Sequence, residues 1–169
     1  MMPRSADVDL VDAASEVLGM MFFTDVLLSD VLAGPLEMPV TVKVEFQGAR
    51  SGTLHLRVPR ETAEALAGNF LGLPMGAAPT GEQLNDVLNE LGNMVCGSFL
   101  SKHESEESIA MAQPEILAAA AEMPLQLATL HRSLQLDNGN MVLALSWGPL
   151  HQAAKGSRGK RPRRKKGTS

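Results

Sequence analysis

Two short runs of strict alternation constrain what this chain can fold into more than any other feature. Val40, Val42, Val44 and Phe46 alternate with Thr41, Lys43 and Glu45, and soon afterwards Leu54, Leu56 and Val58 alternate with Thr53, His55 and Arg57. Side chains of a strand point to opposite faces with a period of two, so each run reads as a half-buried strand. Gly48 and the turn around Arg50 and Ser51 join them, which predicts an antiparallel hairpin.

The flanking patterns are helical. From about Ser5 to Phe23, the residues Val8, Val11, Val17, Leu18, Met21 and Phe22 recur at helical spacing, with Asp7 and Asp9 at the positive end of the dipole. Gly34, Pro35 and Pro39 break the chain before the hairpin. Pro59 opens a short helix, PRETAEALAGNFLG, which Gly72, Pro74 and Gly76 end. Thr80 then caps a long helix over 80–101, with Gln83 completing a capping box. SIAMAQPEIL, PLQLATLHRSLQLD and NMVLALSW read as further strands, the last two joined at Asp137, Asn138 and Gly139. The Ala118–Ala121 run stays open between short helix and loop. Adjacent strands in place of strict strand–helix alternation predict an α+β domain, a largely antiparallel sheet with helices packed on one face.

The long helix carries the chemistry. At 100° per residue, Leu84, Val87, Leu88, Leu91, Met94, Val95 and Phe99 fall on one side, and Glu82, Asp86, Asn89, Glu90, Asn93 and Gly97 on the other. Burial of the first set fixes exposure of the second. Glu90 and Asn93, three apart, meet one partner group together. The first helix echoes this spacing: Asp12-x3-Glu16-x2-Gly19-Met20-Met21 against Asp86-x3-Glu90-x2-Asn93-Met94-Val95. Gly19 costs about 1 kcal/mol relative to Ala in a helix interior, and the expectation is a close helix or chain approach there.

The pattern Asp86-x3-Glu90-Leu91-Gly92-Asn93-Met94-Val95-Cys96-Gly97 resembles the signature of the CheX/CheC family of chemotaxis phosphatases: an acidic residue, then Glu-x-x-Asn-Met/Ile-x-x-Gly on a helix. The order of elements over about 5–148, the pseudo-repeated helices and the position of QPEIL at 113–117 extend the likeness. The resemblance implies dephosphorylation of the aspartyl phosphate on a CheY-like receiver domain. Asn93 then holds water in line with phosphorus, since an amide is no general base at neutral pH, and Glu90 docks a receiver lysine. Asp86 and Gly97 complete the expected binding face. The resemblance also implies a homodimer and a receiver that supplies both Mg²⁺ and the phosphorylated Asp, so that this chain binds no cofactor or metal of its own. CheC-type relatives carry two Glu/Asn helices and CheX-type relatives one; Gly19 stands where the first helix would need its Asn, which implies a single site. The rival reading is a noncatalytic signalling module, similar to the flagellar switch proteins FliM, FliN and FliY, using the same helix face.

Other residues are expected to be structural. His55, His103, His131 and His151 lack metal-ligand spacing, and His55 and His131 are expected to be solvated on strand surfaces. Ser98 and Ser101 have no His and acid arrangement nearby, and Cys96 is expected to be a buried thiol. A single cysteine excludes an internal disulfide, MMPRSADVD does not read as a secretory signal, and no apolar stretch is long enough to span a bilayer. The expected location is the cytoplasm. The formal net charge of -4 hides two regions: residues 155–169 hold eight Lys or Arg and no acid, leaving seven basic and nineteen acidic residues elsewhere, a net of -12. The expected division is therefore an acidic CheX-like domain over 1–150 and a basic, disordered tail over 151–169. Nucleic acid, an anionic surface or the acidic domain itself are the partners open to that tail.

Overall fold

A computed structural model describes residues 5–30, 36–48, 50–103, 109–118, 125 and 128–148. Ala118 lies outside any helix, and the rest of the ambiguous alanine run lies outside the described residues, as does the basic tail. The elements run α1 (Ala6–Met21), β1 (Val26–Ser29), β2 (Pro39–Gln47), β3 (Gly52–Pro59), α2 (Arg60–Leu71), α3 (Gly81–His103), β4 (Ala110–Met111), β5 (Glu115–Ile116), β6 (Leu130–Leu136) and β7 (Gly139–Trp147).

The strands form one antiparallel sheet in the order β1-β6-β7-β3-β2-β4, with β5 also paired to β2. The hairpin expected from the alternating runs is present in the register Val42 to Leu56 and Val44 to Leu54. That register sets Val42, Val44, Phe46, Leu54, Leu56 and Val58 on one face, where they are buried with Leu143 and Leu145 of β7 beneath the three helices. The class is the expected α+β. A row of partners, Met111–Phe46–Gly52–Trp147, crosses four strands at one end of the sheet.

Three expectations need correction. The described part of SIAMAQPEIL, residues 109–117, holds no single strand: β4 and β5 are two-residue pieces on either side of Ala112–Pro114, both bonded to β2, because Pro114 has no N–H to give a continuous ladder. β1 is unforeseen; Phe23 takes a left-handed conformation (φ 51°) that ends α1 and turns the chain into a strand beside β6. Pro59 is not in the helix but closes β3 and caps α2, without a side-chain hydrogen bond.

Candidate functional site

The site begins with how α3 is held. Thr80 and Gln83 form the reciprocal capping box: the Gln83 N–H donates to Thr80 Oγ1 at 3.1 Å, and the Thr80 N–H donates to Gln83 Oε1 at 2.9 Å. The apolar side is buried as its periodicity requires, through Leu84, Val87, Leu88, Leu91, Val95, Phe99 and Leu100. Each such side chain contributes about 1.5–3 kcal/mol relative to exposure, so the helix cannot roll to present another face.

Gly92 sets the height of α3 above the sheet. A Cβ there would stand 2.7 Å from Val42 Cγ1 and 3.2 Å from Val44 Cγ2, so only glycine lets the helix lie this close to β2. Sequence reading passed over Gly92, although it lies between Glu90 and Asn93. At the far end, Lys102 Nζ donates to Glu16 Oε1 at 2.8 Å, and His103 Nδ1 lies 3.0 Å from Oδ2 of Asp9, a residue only 1% exposed. The His103 ring also stacks on Phe99. These contacts fasten α3 to α1.

The outward side of α3 lines a groove of about 540 Å³ with Asp86, Asn89, Glu90 and Asn93, and the β4–β5 turn supplies the facing wall: Met111, Ala112, Gln113 and Pro114. The turn is anchored at both ends, by the Ala112 N–H to Glu45 O at 2.8 Å and the Leu117 N–H to Thr41 O at 2.9 Å. Of the four expected site residues, Asp86, Glu90 and Asn93 are thus together. Gly97 is not in the groove lining: it sits half-buried, with Met111 Cε 3.6 Å from where its Cβ would be. Asn89 and the turn were not foreseen as lining. Their signal is tertiary, except that Asn89 shares the helical stripe with Asp86 and Asn93.

The groove is acidic and uncompensated. No Lys, Arg or His lines it, and neither Asp86 nor Glu90 has an ion-pair partner among the described residues. Other carboxylates are engaged: Asp7 and Asp30 with Arg132, Glu64 with Arg60, Glu45 and Glu115 with Lys43. Such a groove suits a cation on a partner, and an amide beside it suits a bound water.

The remaining candidates separate cleanly. Cys96 is buried, and burial pushes its thiol up to about 12, which leaves it protonated and unsuited to nucleophilic work. His55 is a correction: it is 4% exposed, and burial, followed by the charges of Lys43 and Arg57 and opposed by Glu45, holds its pKa below the usual 6.5. The outer face of the sheet is not open there; Val142, Ala144 and Leu125 form a second apolar cluster on it. His131 is exposed as expected, and His151 lies outside the described residues. Gly19 is a second correction, since nothing lies within 4 Å of its Cβ position and no close approach explains it. Among the described residues no cluster of three or more His, Cys, Asp or Glu stands in metal-binding arrangement, and no helix is long and apolar enough to cross a membrane.

Comparison with known proteins follows the same outline. Among curated proteins none matches the chain. Among solved structures, the chain is similar to the chemotaxis protein CheX from Desulfovibrio desulfuricans, with 15% identity, 85% of this chain and 99% of that one covered, and a TM-score of 0.67. It is similar to the CheX-CheY-BeF3-Mg²⁺ complex from Borrelia burgdorferi, with 18% identity, 85% and 97% covered, and a TM-score of 0.65. Thermotoga maritima FliY shares the fold more loosely, with 13% identity, 85% and 87% covered, and a TM-score of 0.55. At these identities the likeness is one of fold. The sequence itself matches the family described as chemotaxis phosphatase CheX over residues 40–135, more than half its length and all of the groove helix, so the chain belongs to the CheX family.

Proposed function

We propose that this chain dephosphorylates the aspartyl phosphate of a CheY-like receiver domain, with Asn93 placing the attacking water and Glu90 docking the receiver. The observation that carries the reading is the groove itself. Asp86, Glu90 and Asn93 line one concave surface, and both acids lack an ion-pair partner among the described residues. The CheX relative from Borrelia burgdorferi forms a complex with CheY, BeF3 and Mg²⁺, which supports a receiver as the partner and the receiver as the source of the metal.

The chemistry asked of this chain is small. A water oxygen attacks phosphorus in line with the bond to the receiver's aspartate, that carboxylate leaves, and inorganic phosphate departs. Asn93, half-buried on a helix fixed at both ends, presents its amide oxygen to a water proton and so orients the attacking lone pair. Glu90 is exposed, and its carboxylate pairs with an ammonium group on the receiver to set the docking register. Asp86, one turn earlier, adds to the field that draws that cation in.

The test follows phosphate loss from a labelled receiver with the intact chain, with Asn93→Ala and with Glu90→Ala. Asn93→Ala is expected to abolish acceleration while the receiver still binds, and Glu90→Ala to weaken binding. Acceleration untouched by Asn93→Ala would defeat the mechanism. Binding without acceleration by the intact chain would establish the noncatalytic module instead.

A further inference from the structure

We propose that the basic segment 155–169 of this chain occupies the acidic groove of α3, as an intramolecular competitor for the partner's cation. The segment holds Lys155, Arg158, Lys160, Arg161, Arg163, Arg164, Lys165 and Lys166 and no acid, against a net charge of -12 on the rest of the chain. Several acidic clusters on the described surface already carry a cation of their own: Arg132 between Asp7 and Asp30, Lys102 on Glu16, Arg60 on Glu64, and Lys43 between Glu45 and Glu115. In the groove, Asp86 and Glu90 have no cation partner among the described residues, and Glu82 lies exposed one turn before Asp86. It is a concave acidic surface with charge left to neutralise.

Topology brings the segment to it. The described chain ends at Gly148, directly after Trp147, and Trp147 belongs to the row Met111–Phe46–Gly52–Trp147. Strands lie about 4.8 Å apart, so three spacings put Trp147 about 14 Å from Met111, the groove's own wall. The stretch from Gly148 to Lys155 spans up to about 23 Å when extended, and the basic residues beyond it have ample reach. A second acidic hollow, of about 680 Å³ and lined by Glu37, Glu61 and Glu64, lies at the other end of the sheet beside Asn138–Asn140 and already contains Arg60. It stands about 27 Å away along β7. Tethering gives the segment an effective concentration in the millimolar range near the groove, enough for weak screened ion pairs to populate the docked form.

The docking claim does not depend on catalysis; only its consequence, competition with a receiver, rests on the function proposed above. The full-length chain, dilute and at low salt, is treated with a carbodiimide that joins lysine amines to carboxylates, and the joined peptides of the monomer are mapped by mass spectrometry. Lysines 155, 160, 165 and 166 are expected to join to Asp86, Glu90 or Glu82, and the products are expected to vanish in 0.5 M salt. Joining to Glu37, Glu61 or Glu64, joining scattered over the domain, or none at all would overturn the proposal. So would binding of the intact chain to phosphatidylserine vesicles or duplex DNA that is lost on replacing the eight basic residues with Gln, when no groove product forms. In a second arm, the same eight-Gln chain is expected to bind the receiver about three- to tenfold more tightly than the intact chain at low salt, with the gap closing as salt rises. Groove products without any receiver dephosphorylation by either chain would leave the docking standing and remove the proposed function. Dephosphorylation without groove products would do the reverse.

Discussion

α1 and α3 carry the same spacing of acidic residues, Asp12 and Glu16 in one, Asp86 and Glu90 in the other, yet only α3 has the surroundings of a site. Glu90 is exposed without an ion-pair partner among the described residues, whereas Glu16 is paired with Lys102, a residue of α3 itself. Asp86 opens on the groove that the β4–β5 turn walls off. Asp12 lines a smaller depression of about 180 Å³ where Arg132 already links Asp7 and Asp30. At the third position the motif has Asn93 in α3 and Gly19 in α1, and the following methionine is half-buried in α3 but 76% exposed as Met20 in α1. A spacing therefore becomes a site only when another element faces it and no internal cation has claimed its acids.

The largest effect expected from this contrast is catalytic. Asn93→Ala should lower receiver dephosphorylation by about a hundredfold or more, the scale of losing the positioning of a reactant, while thermal denaturation stays within a degree or two. The converse graft, Gly19→Asn, restores the motif in α1 and should add no activity, even in the Asn93→Ala background. Rescue by that graft would show that sequence spacing alone suffices and would break the comparison.

Gly19 of α1 and Gly92 of α3 carry opposite expectations. Gly92→Ala should destabilise by about 1–3 kcal/mol, because the new methyl meets Val42 and Val44 at 2.7 and 3.2 Å and the core must yield. It should also reduce dephosphorylation, since lifting α3 from β2 displaces Glu90 and Asn93 relative to the β4–β5 wall. Gly19→Ala meets open space and should stabilise by up to about 1 kcal/mol through helix propensity, with activity unchanged. Urea denaturation of both variants reads the difference directly. Equal signs would mean that the two helices do not differ in how they approach their neighbours.

What the sequence revealed and what it hid divide along the same physical line. Features set by local periodicity were legible: the 40–46 and 54–58 alternation gave the hairpin, the Thr80–Gln83 box gave the start of α3, and the 3.6-residue turn put Asp86, Glu90 and Asn93 on one stripe. Features set by distant partners were not. β1 is four residues whose sheet partner among the described residues, β6, follows about a hundred residues later, so nothing local marked it as a strand. His55 alternates like a surface residue, but the outer face is covered at that point. Gly92 looked like any helical glycine until β2 lay beneath it, while Gly19, which looked like a packing glycine, touches nothing.

The smallest effect concerns the tie that makes the α1 copy unavailable. Lys102 and Glu16 meet at 2.8 Å, but the Glu16 side chain is 55% exposed and the Lys102 side chain 24%, so water and salt screen the pair. A double-mutant cycle with Glu16→Gln and Lys102→Met should give a coupling of about 0.2–1 kcal/mol, falling as salt is raised. Lys102→Met alone frees Glu16 without changing α3's groove, and it should leave receiver affinity unaltered, because Glu16 is not part of the depression beside α1 and Arg132 already links the acids Asp7 and Asp30 there. Should Lys102→Met instead raise receiver affinity in a way that Glu16→Gln cancels, the pair would be holding back a second docking acid, and the contrast between the helices would lie in that one ion pair instead of in the β4–β5 turn.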